Sequence, residues 1–407
     1  VDLRKHLKIA GRFSFVVTMT TRSMYRPIIV VALTAFIDFV GIGIIIPISP
    51  FYSEKFGATP LEIALLFTAY SFPQFLMSPF WGRLSDNRGR KPVLMIGLTG
   101  EAVAYILFAF APNLSVLFVS RIVVGSLSAN LAVIQSYVSD VTSEEQRVRG
   151  LGIIGAALGL GFILGPALGG VLSIYGYRVP ILLTAGLAAL NLALVHFMVR
   201  EPVHAYTFTR RSFRAVFGFA KPVYVMGGLV NLAFVGLQVT LALYAQKLYA
   251  WGALQVGLVL AVIGVEEAVI QGGFIYRITA RLGEWLTVTV GLILLAASFL
   301  ILSVPPTQTG TVVALLLLGV SLSLTQAPAN SLITKLVPRD QQGSALGLVQ
   351  SVTALTNIFG QIVGGSLFQF VSAASPYRAG FVFVLAGLTV FVARRGHVVP
   401  ERKTAGS

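Results

Sequence analysis

Residues 82–93, Gly-Arg-Leu-Ser-Asp-Asn-Arg-Gly-Arg-Lys-Pro-Val, set four cations and one carboxylate between two apolar stretches, Ile63–Trp81 and Val93–Ala111. A charged segment this short, flanked by stretches long enough to cross a bilayer, has to lie at a membrane edge. Gly82 and Gly89 are expected to form its tight turn, because glycine takes positive φ without steric penalty. Retention of positive charge would account for the cations of any such loop. It would not place the two glycines or the lone Asp86 among Arg83, Arg88, Arg90 and Lys91.

Hydrophobic residues make up 56% of the 407 and charged residues 11%, against about 25% charged in a soluble domain. Too few charges are present to cover a water-facing surface, so the chain is read as an all-α polytopic membrane protein. It has no cysteine, hence no disulfide framework, no thiolate metal site and no sign of its redox compartment. Segment 1–26 is basic and mixed and shows no cleavable signal pattern. With a window of about 20 apolar residues, twelve spans appear, at 27–50, 61–81, 92–111, 114–138, 150–174, 178–199, 222–246, 253–275, 286–304, 310–334, 343–371 and 377–393.

The cations orient these spans. With the N-terminus inside, 25 of the 30 Lys and Arg residues fall in cytoplasmic segments. Only Lys55, Arg178, Lys247 and Arg378 fall outside, and Arg121 lies within a span. Both termini are therefore expected in the cytoplasm. The net charge of +15 is a topology signal, scattered over seven short segments, and does not imply nucleic-acid binding. Attraction to anionic membrane lipid is its by-product. The expected organisation is a cytoplasmic segment 1–26, six helices over 27–199, a cytoplasmic linker 200–221, six helices over 222–393 and a cytoplasmic tail 394–407. The halves repeat: Tyr276–Gly283 matches Gly82–Gly89 at an offset of 194, and Gln341 and Gly347 match Gln146 and Gly152 at 195. The second copy lacks the acid (Ala280) and replaces Arg-Lys by Glu284-Trp285.

The pattern Gly82-x-Leu84-x-Asp86-x-x-Gly89-Arg90-Lys91 closely resembles the signature loop between helices two and three of the major facilitator superfamily. The fifth span carries Gly161-Phe-Ile-Leu-Gly165-Pro166-Ala-Leu-Gly169-Gly170. Small residues four apart suit close helix packing, and Pro166 removes a helix hydrogen bond. The full run resembles the antiporter motif of the drug:proton branch. With Asp38-x-x-Gly41-x-Gly43-x-x-x-Pro47 in the first span and Arg121-x-x-x-Gly125 in the fourth, the chain is most similar to the tetracycline/proton antiporters. The resemblance implies two six-helix bundles and proton-coupled export by alternating access. It assigns Gly82, Asp86, Gly89, Arg90, Lys91 and Asp140 to conformational switching, with Asp86 at the start of helix eleven (343–346) and Arg90 at Asp140.

Ionisable side chains inside a bilayer are expensive and mark function by default. The spans hold Asp38, Glu101, Arg121, Glu266 and Glu267. Desolvation favours the protonated form of a carboxyl group, which suits a proton carrier, and these five are the proton-coupling candidates. Helix–helix hydrogen bonding is the structural alternative for Asp38, and an ion pair with Asp38 or a backbone carbonyl that for Arg121. Glu101 stands one turn before the place of the family's helix-three acid, here Ala104. Adjacent Glu266 and Glu267 point about 100° apart on a helix, so one is expected to face the cavity, preferably Glu267. The family's helix-nine acid has no counterpart, which separates this chain from tetracycline itself as cargo. Gln135, Gln238, Gln271, Gln326, Asn330, Gln350 and Asn357 are candidate substrate-cavity residues, or polar glue between helices.

The expected function is a proton antiporter exporting a hydrophobic or amphiphilic small molecule, working as a monomer in the cell membrane. A lipid or glycolipid flippase or a sugar exporter of the same fold is the alternative, and a non-transporting receptor a weaker one. No cofactor, metal or enzymatic activity is expected. No Ser/His or paired-His arrangement lies in the spans, and His6, His196, His204 and His397 sit at or near cytoplasmic ends.

Overall fold

The computed structural model describes residues 3–128, 130–202, 217–304, 307–338 and 341–395, with side chains from Pro27 onward except at 144, 145, 148 and 343. The central part of the expected linker and most of the expected C-terminal tail lie outside the described residues. Among the described residues twelve helices are long and apolar enough to cross a membrane. They are α1 (Pro27–Glu54), α2 (Pro60–Arg88), α3 (Arg90–Ala109), α4 (Leu114–Val141), α5 (Arg149–Tyr175) and α6 (Arg178–Met198), then α7 (Lys221–Tyr249), α8 (Ala253–Leu282), α9 (Glu284–Ser303), α10 (Gln308–Leu336), α11 (Ser344–Phe370) and α12 (Ser375–Ala393). The span α1 is the end of a longer helix, Leu3–Glu54. Large apolar side chains such as Ile96, Val103, Phe197 and Phe370 stand exposed on the outer surface, as lipid contact requires and water does not tolerate.

The turn expected at Gly82 is absent. Gly82 lies inside α2, which continues to Arg88, and Gly89 alone separates α2 from α3. Residues 83–88 contain no helix breaker, so the helix runs past its apolar part until a residue with positive φ stops it. Gly89 has φ +101°, and its repeat partner Gly283, between α8 and α9, has φ +76°. Each closes its helix in one way: Gly89 N–H donates to Ser85 O (3.1 Å) and Gly283 N–H to Thr279 O (2.8 Å). The same persistence carries α8 to Leu282 instead of 275. The opposite end of α2 is fixed by a capping box, in which Thr59 and Glu62 exchange backbone-to-side-chain bonds ahead of Pro60.

Packing follows the repeat. Among the first six helices α1 lies on α5 and α6, and α3 on α4 and α6. Among the last six α7 lies on α11 and α12, and α9 on α10 and α12. Tyr52 on α1 donates to Ala109 O (3.0 Å), and Tyr244 on α7 donates to Leu302 O (2.9 Å). Two seams join the groups, α5 against α8 and α2 against α11. Both are built on glycine. A Cβ at Gly170 would meet Gly257 Cα at 3.1 Å and Ala253 O at 3.0 Å, and one at Gly365 would meet Ala64 Cβ and Pro60 O. Those two glycines, 195 residues apart, take the same place in the two halves. Phe51, Ala245, Trp251 and Ala253 close the groups together at the ends remote from Gly89 and Gly283.

Candidate functional site

Midway along α3 and α1, Glu101 and Asp38 lie within hydrogen-bonding reach of one another. Asn130 bridges the pair: its Nδ2 donates to Glu101 Oε1 (2.9 Å) and to Asp38 Oδ1 (3.4 Å). Ser128 Oγ adds a donor to the same Glu101 oxygen at 3.0 Å. Glu101 is 3% exposed and Asp38 is half-buried, so one acid of the pair is held out of bulk water and the other lies at its edge.

A break in α4 brings these donors in. Its helical segments Leu114–Leu127 and Asn130–Val141 are separated at Ser128, whose backbone sits at φ −82°, ψ +76°. Carbonyls freed by the break are taken up by α2. Trp81 Nε1 donates to Ser126 O (2.6 Å), and Gln74 Nε2 to Ser128 O (3.2 Å) and Tyr70 Oη (3.0 Å). Gly97 makes room, since a Cβ there would fall 2.5 Å from Asn130 Oδ1. Arg121 lies about two helical turns before the break. It is 7% exposed, stacks on Phe108 at 4.1 Å, and has no ion pair among the described residues. Its Nη2 has no hydrogen-bond partner among the described residues. The ion pair with Asp38 considered from sequence is therefore not formed in this structure.

The two glutamates of α8 separate. Glu267 lines a cavity of about 110 Å³ with Gln238, Phe162 and Pro166. Glu266 stands instead against α10, where a Cβ on Gly319 would come within 2.6 Å of its Oε2, an oxygen with no hydrogen-bond partner among the described residues. One turn further, Ile270–Phe274 form a π segment. A second cavity, of about 270 Å³, lies between α7, α10 and α11 and is lined by Gln326, Asn330 and Gln350. Asn357 does not line it but accepts from Asn231 Nδ2 (2.8 Å), which does. Gln135 and Gln271 are exposed and line neither cavity.

The glycines of α5 serve two neighbours. Gly161, Gly165 and Gly169 face α1, where Cβ atoms would meet Phe39 Cβ (2.8 Å), Gly43 Cα (2.6 Å) and Ile44 O (2.5 Å). Gly170 and the Pro166 carbonyl face Gly257 on α8. The run is thus a double seam, holding α1 on one side and the other group of helices on the other.

At the α2–α3 junction Arg90 is 3% exposed and fully engaged. Its Nε donates to Asp140 Oδ2 (2.8 Å), and its Nη1 to Asp86 Oδ1 (2.6 Å) and Ser85 Oγ (2.7 Å). The expected meeting of Asp86 with 343–346 falls partly on a side chain outside the described residues; α2 and α11 do pack along each other. Lys91 Nζ donates to His196 O (2.6 Å). Glu201, which the sequence reading missed, accepts from the backbone N–H groups of Arg90 (2.5 Å) and Lys91 (2.9 Å) at the start of α3. Its signal was a lone acid just after the sixth span, at the membrane edge where the cations collect. In the second half the pair is reversed in sign: Glu284 meets Lys335 at the positions equivalent to Arg90 and Asp140. The Arg-Lys pair is absent from the second copy, and the Arg90–Asp140 ion pair is replaced there by one of opposite polarity.

Arg90→Lys should therefore fail to substitute. An ammonium cannot serve Asp140, Asp86 and Ser85 together in the forked geometry of a guanidinium. We expect a transport rate at least about tenfold below wild type, the loss of roughly one charge-assisted bond, with unchanged membrane insertion. A wild-type rate in reconstituted vesicles would show that only the charge matters.

The sequence model of the Major Facilitator Superfamily matches residues 31–361. The tetracycline resistance protein of class C from Escherichia coli is 30% identical over 367 residues, covering 86% of this chain and 91% of that protein. Multidrug resistance protein 1 of Bacillus subtilis is 26% identical, over 88% of this chain and 93% of its own length. Among solved structures, the human organic anion transporter MFSD10 (TETRAN) superposes with a TM-score of 0.68 at 23% identity, over 90% of this chain and 99% of that one. The nucleoside transporter NupG superposes with a TM-score of 0.71 at 15% identity, over 91% of this chain and 98% of that one.

Proposed function

We propose that this chain, which belongs to the Major Facilitator Superfamily, exports hydrophobic or amphiphilic small molecules in exchange for protons. Membership makes it a multi-pass membrane transporter and not an enzyme. The observation that carries the antiport reading is the Asp38–Glu101 pair, held by Asn130 and Ser128 at a break in α4. Broken helices near the midplane are where transporters of this kind place coupling sites. Relatives named for tetracycline and multidrug resistance support a drug-like cargo.

In this reading Asp38, Glu101 and Arg121 handle the proton in the first half, and Glu267, seconded by Glu266, in the second. The units 27–199 and 222–393 rock about the glycine seams of α5 with α8 and of α2 with α11, joined by the linker 200–221. The Arg90–Asp86–Asp140 cluster and its sign-reversed counterpart Glu284–Lys335 latch the face carrying Gly89 and Gly283. The distribution of cations makes that face, with both termini, the cytoplasmic one. Gln238, Gln326, Asn330 and Gln350 contact the cargo. One chain holds both acids and both cavities, so it works as a monomer.

The test is proton movement in vesicles carrying the purified protein and an internal pH dye. Addition of ethidium or another lipophilic drug is expected to release protons across the membrane, with tetracycline as the comparison compound. If sugars or lysolipids bind and move while no drug does, and no proton moves, export by antiport is wrong and a sugar exporter or lipid flippase takes its place.

A further inference from the structure

The two halves finish their outer edges differently at the end that carries Gly89 and Gly283. In the first half the meeting of α3 with α6 is closed by the chain itself. Lys91 Nζ donates to His196 O (2.6 Å), and the Glu201 carboxylate accepts from the N–H groups of Arg90 (2.5 Å) and Lys91 (2.9 Å). In the second half α9 packs on α12 in the same way, but α12 carries no acid between Ser375 and Arg395. Glu284, which opens α9, is turned to α10, where Lys335 Nζ and Ser331 Oγ (3.3 Å) donate to it. What crosses from α12 is cationic. The Arg395 guanidinium lies 4.7 Å from the centre of the Trp285 ring, and that ring stacks on Phe391 at 6.2 Å and 13°.

Arg394 and Arg395 are exposed and make no ion pair or hydrogen bond among the described residues. Trp285 Nε1 has no hydrogen-bond partner there either. The corner thus gathers donors and no carboxylate to meet them. Beyond it the outer faces are apolar: Leu286, Ile293 and Leu300 stand exposed on α9, and Val382, Leu385 and Val392 on α12. Arginines at the foot of such a surface lie at headgroup level, which tryptophan also prefers. Basic residues there attract anionic lipid. A guanidinium already stacked on an indole gives up little freedom when its fork engages a phosphate. A zwitterionic headgroup would bring an ammonium against two cations, so the corner favours net negative charge.

We infer that α9 and α12 form a binding site for one anionic phospholipid, its phosphate held by Arg394 and Arg395 beside Trp285 and its acyl chains lying along the apolar faces. The lipid gives the second half the acceptor that Glu201 gives the first, and ties α9 to α12 at this end. None of the three residues lines a cavity, so the site goes beyond the efflux reading and stands or falls apart from it.

Native mass spectrometry of the full chain, released from micelles holding equal phosphatidylglycerol and phosphatidylcholine, tests the site. Wild type is expected to retain one phosphatidylglycerol in preference to phosphatidylcholine. Arg394→Gln with Arg395→Gln should weaken that lipid at least about tenfold, two basic contacts at a membrane surface being lost. Arg83→Gln with Arg88→Gln removes the same charge from exposed positions at the same edge of the first half. It should leave the affinity within about twofold. Lysine at both 394 and 395 keeps the charge without the fork and should recover only part of the loss. Phosphatidylglycerol should raise the thermal midpoint of wild type but not of the Arg394/Arg395 glutamine variant, whose midpoint in phosphatidylcholine alone should match wild type. Equal losses in the two glutamine pairs would mean diffuse attraction to a basic edge and would overturn the site. So would wild-type protein that retains both lipids alike, a result that needs no variant. Displacement of the lipid by glycerol phosphate would overturn the lipid as occupant and put a soluble phosphate in its place.

Discussion

Vesicles carrying Asp38→Asn are expected to show no proton movement when drug is added, while drug binding persists. The acid meets Glu101 and receives Asn130 Nδ2, so the amide keeps the size and much of the hydrogen bonding and removes only the titrating group. A positioned proton-transfer group contributes at least about 100-fold to the step it serves, and the coupled flux should fall by that much. Glu101→Gln should behave alike, because Asn130 Nδ2 donates to both carboxyls and the two acids act as one site. Asn130→Leu separates the two functions of the site. It retains both acids but removes the donor between them, so proton movement should survive with an altered pH profile. Normal drug-driven flux in both acid variants would place proton coupling elsewhere, with Glu267 the remaining acid on a cavity. Loss of drug binding in Asp38→Asn would instead make this pair part of the cargo site.

Much of this site was legible in the sequence, because an acid inside an apolar span has no cheap structural explanation. Asp38, Glu101 and Arg121 were visible on that ground alone. Their mutual placement was not. Asn130 and Ser128 read as ordinary polar residues in a span, and nothing linear announced that α4 breaks at Ser128. That break depends on Trp81 and Gln74, 45 and 54 residues away, taking up the freed carbonyls. Gln326 and Gln271 looked equivalent from composition. Only the direction each side chain takes from its helix sorts them, one into a cavity and one away from both. The extent of the charged junction was overestimated for a related reason. Hydropathy ends a span where apolar residues end, whereas a helix ends where its backbone does, at Gly89. The repeat was legible as two short alignments, yet the reversed Glu284–Lys335 pair was hidden, since a swap of sign erases identity while preserving the interaction.

The glycines of α5 carry the second large expected effect, and one with opposite signs along a single helix. Gly159 and Gly165 are alike in sequence, but a Cβ at Gly159 meets nothing within 4 Å, whereas one at Gly165 would lie 2.6 Å from Gly43 Cα and 2.7 Å from Val40 O. Both of those are backbone atoms of α1 and cannot swing aside. Gly→Ala in an open helical position removes unfolded-state freedom and stabilises by roughly 0.5–1 kcal/mol. At Gly165 that gain is outweighed by overpacking, which costs about 1–3 kcal/mol. Gly159→Ala should therefore raise the thermal midpoint of the purified protein, and Gly165→Ala should lower it. The cost at Gly165 also reaches the proton site. Gly43 and Asp38 share α1 five residues apart, so pushing α1 off α5 displaces Asp38 from an Asn130 contact already at 3.4 Å. Gly165→Ala should then lose drug-driven proton flux beyond what its remaining folded fraction explains. Equal midpoints for the two variants would mean that α1 and α5 are not held backbone to backbone. A lowered midpoint with flux intact per folded molecule would mean that the seam supports the fold without positioning the acid.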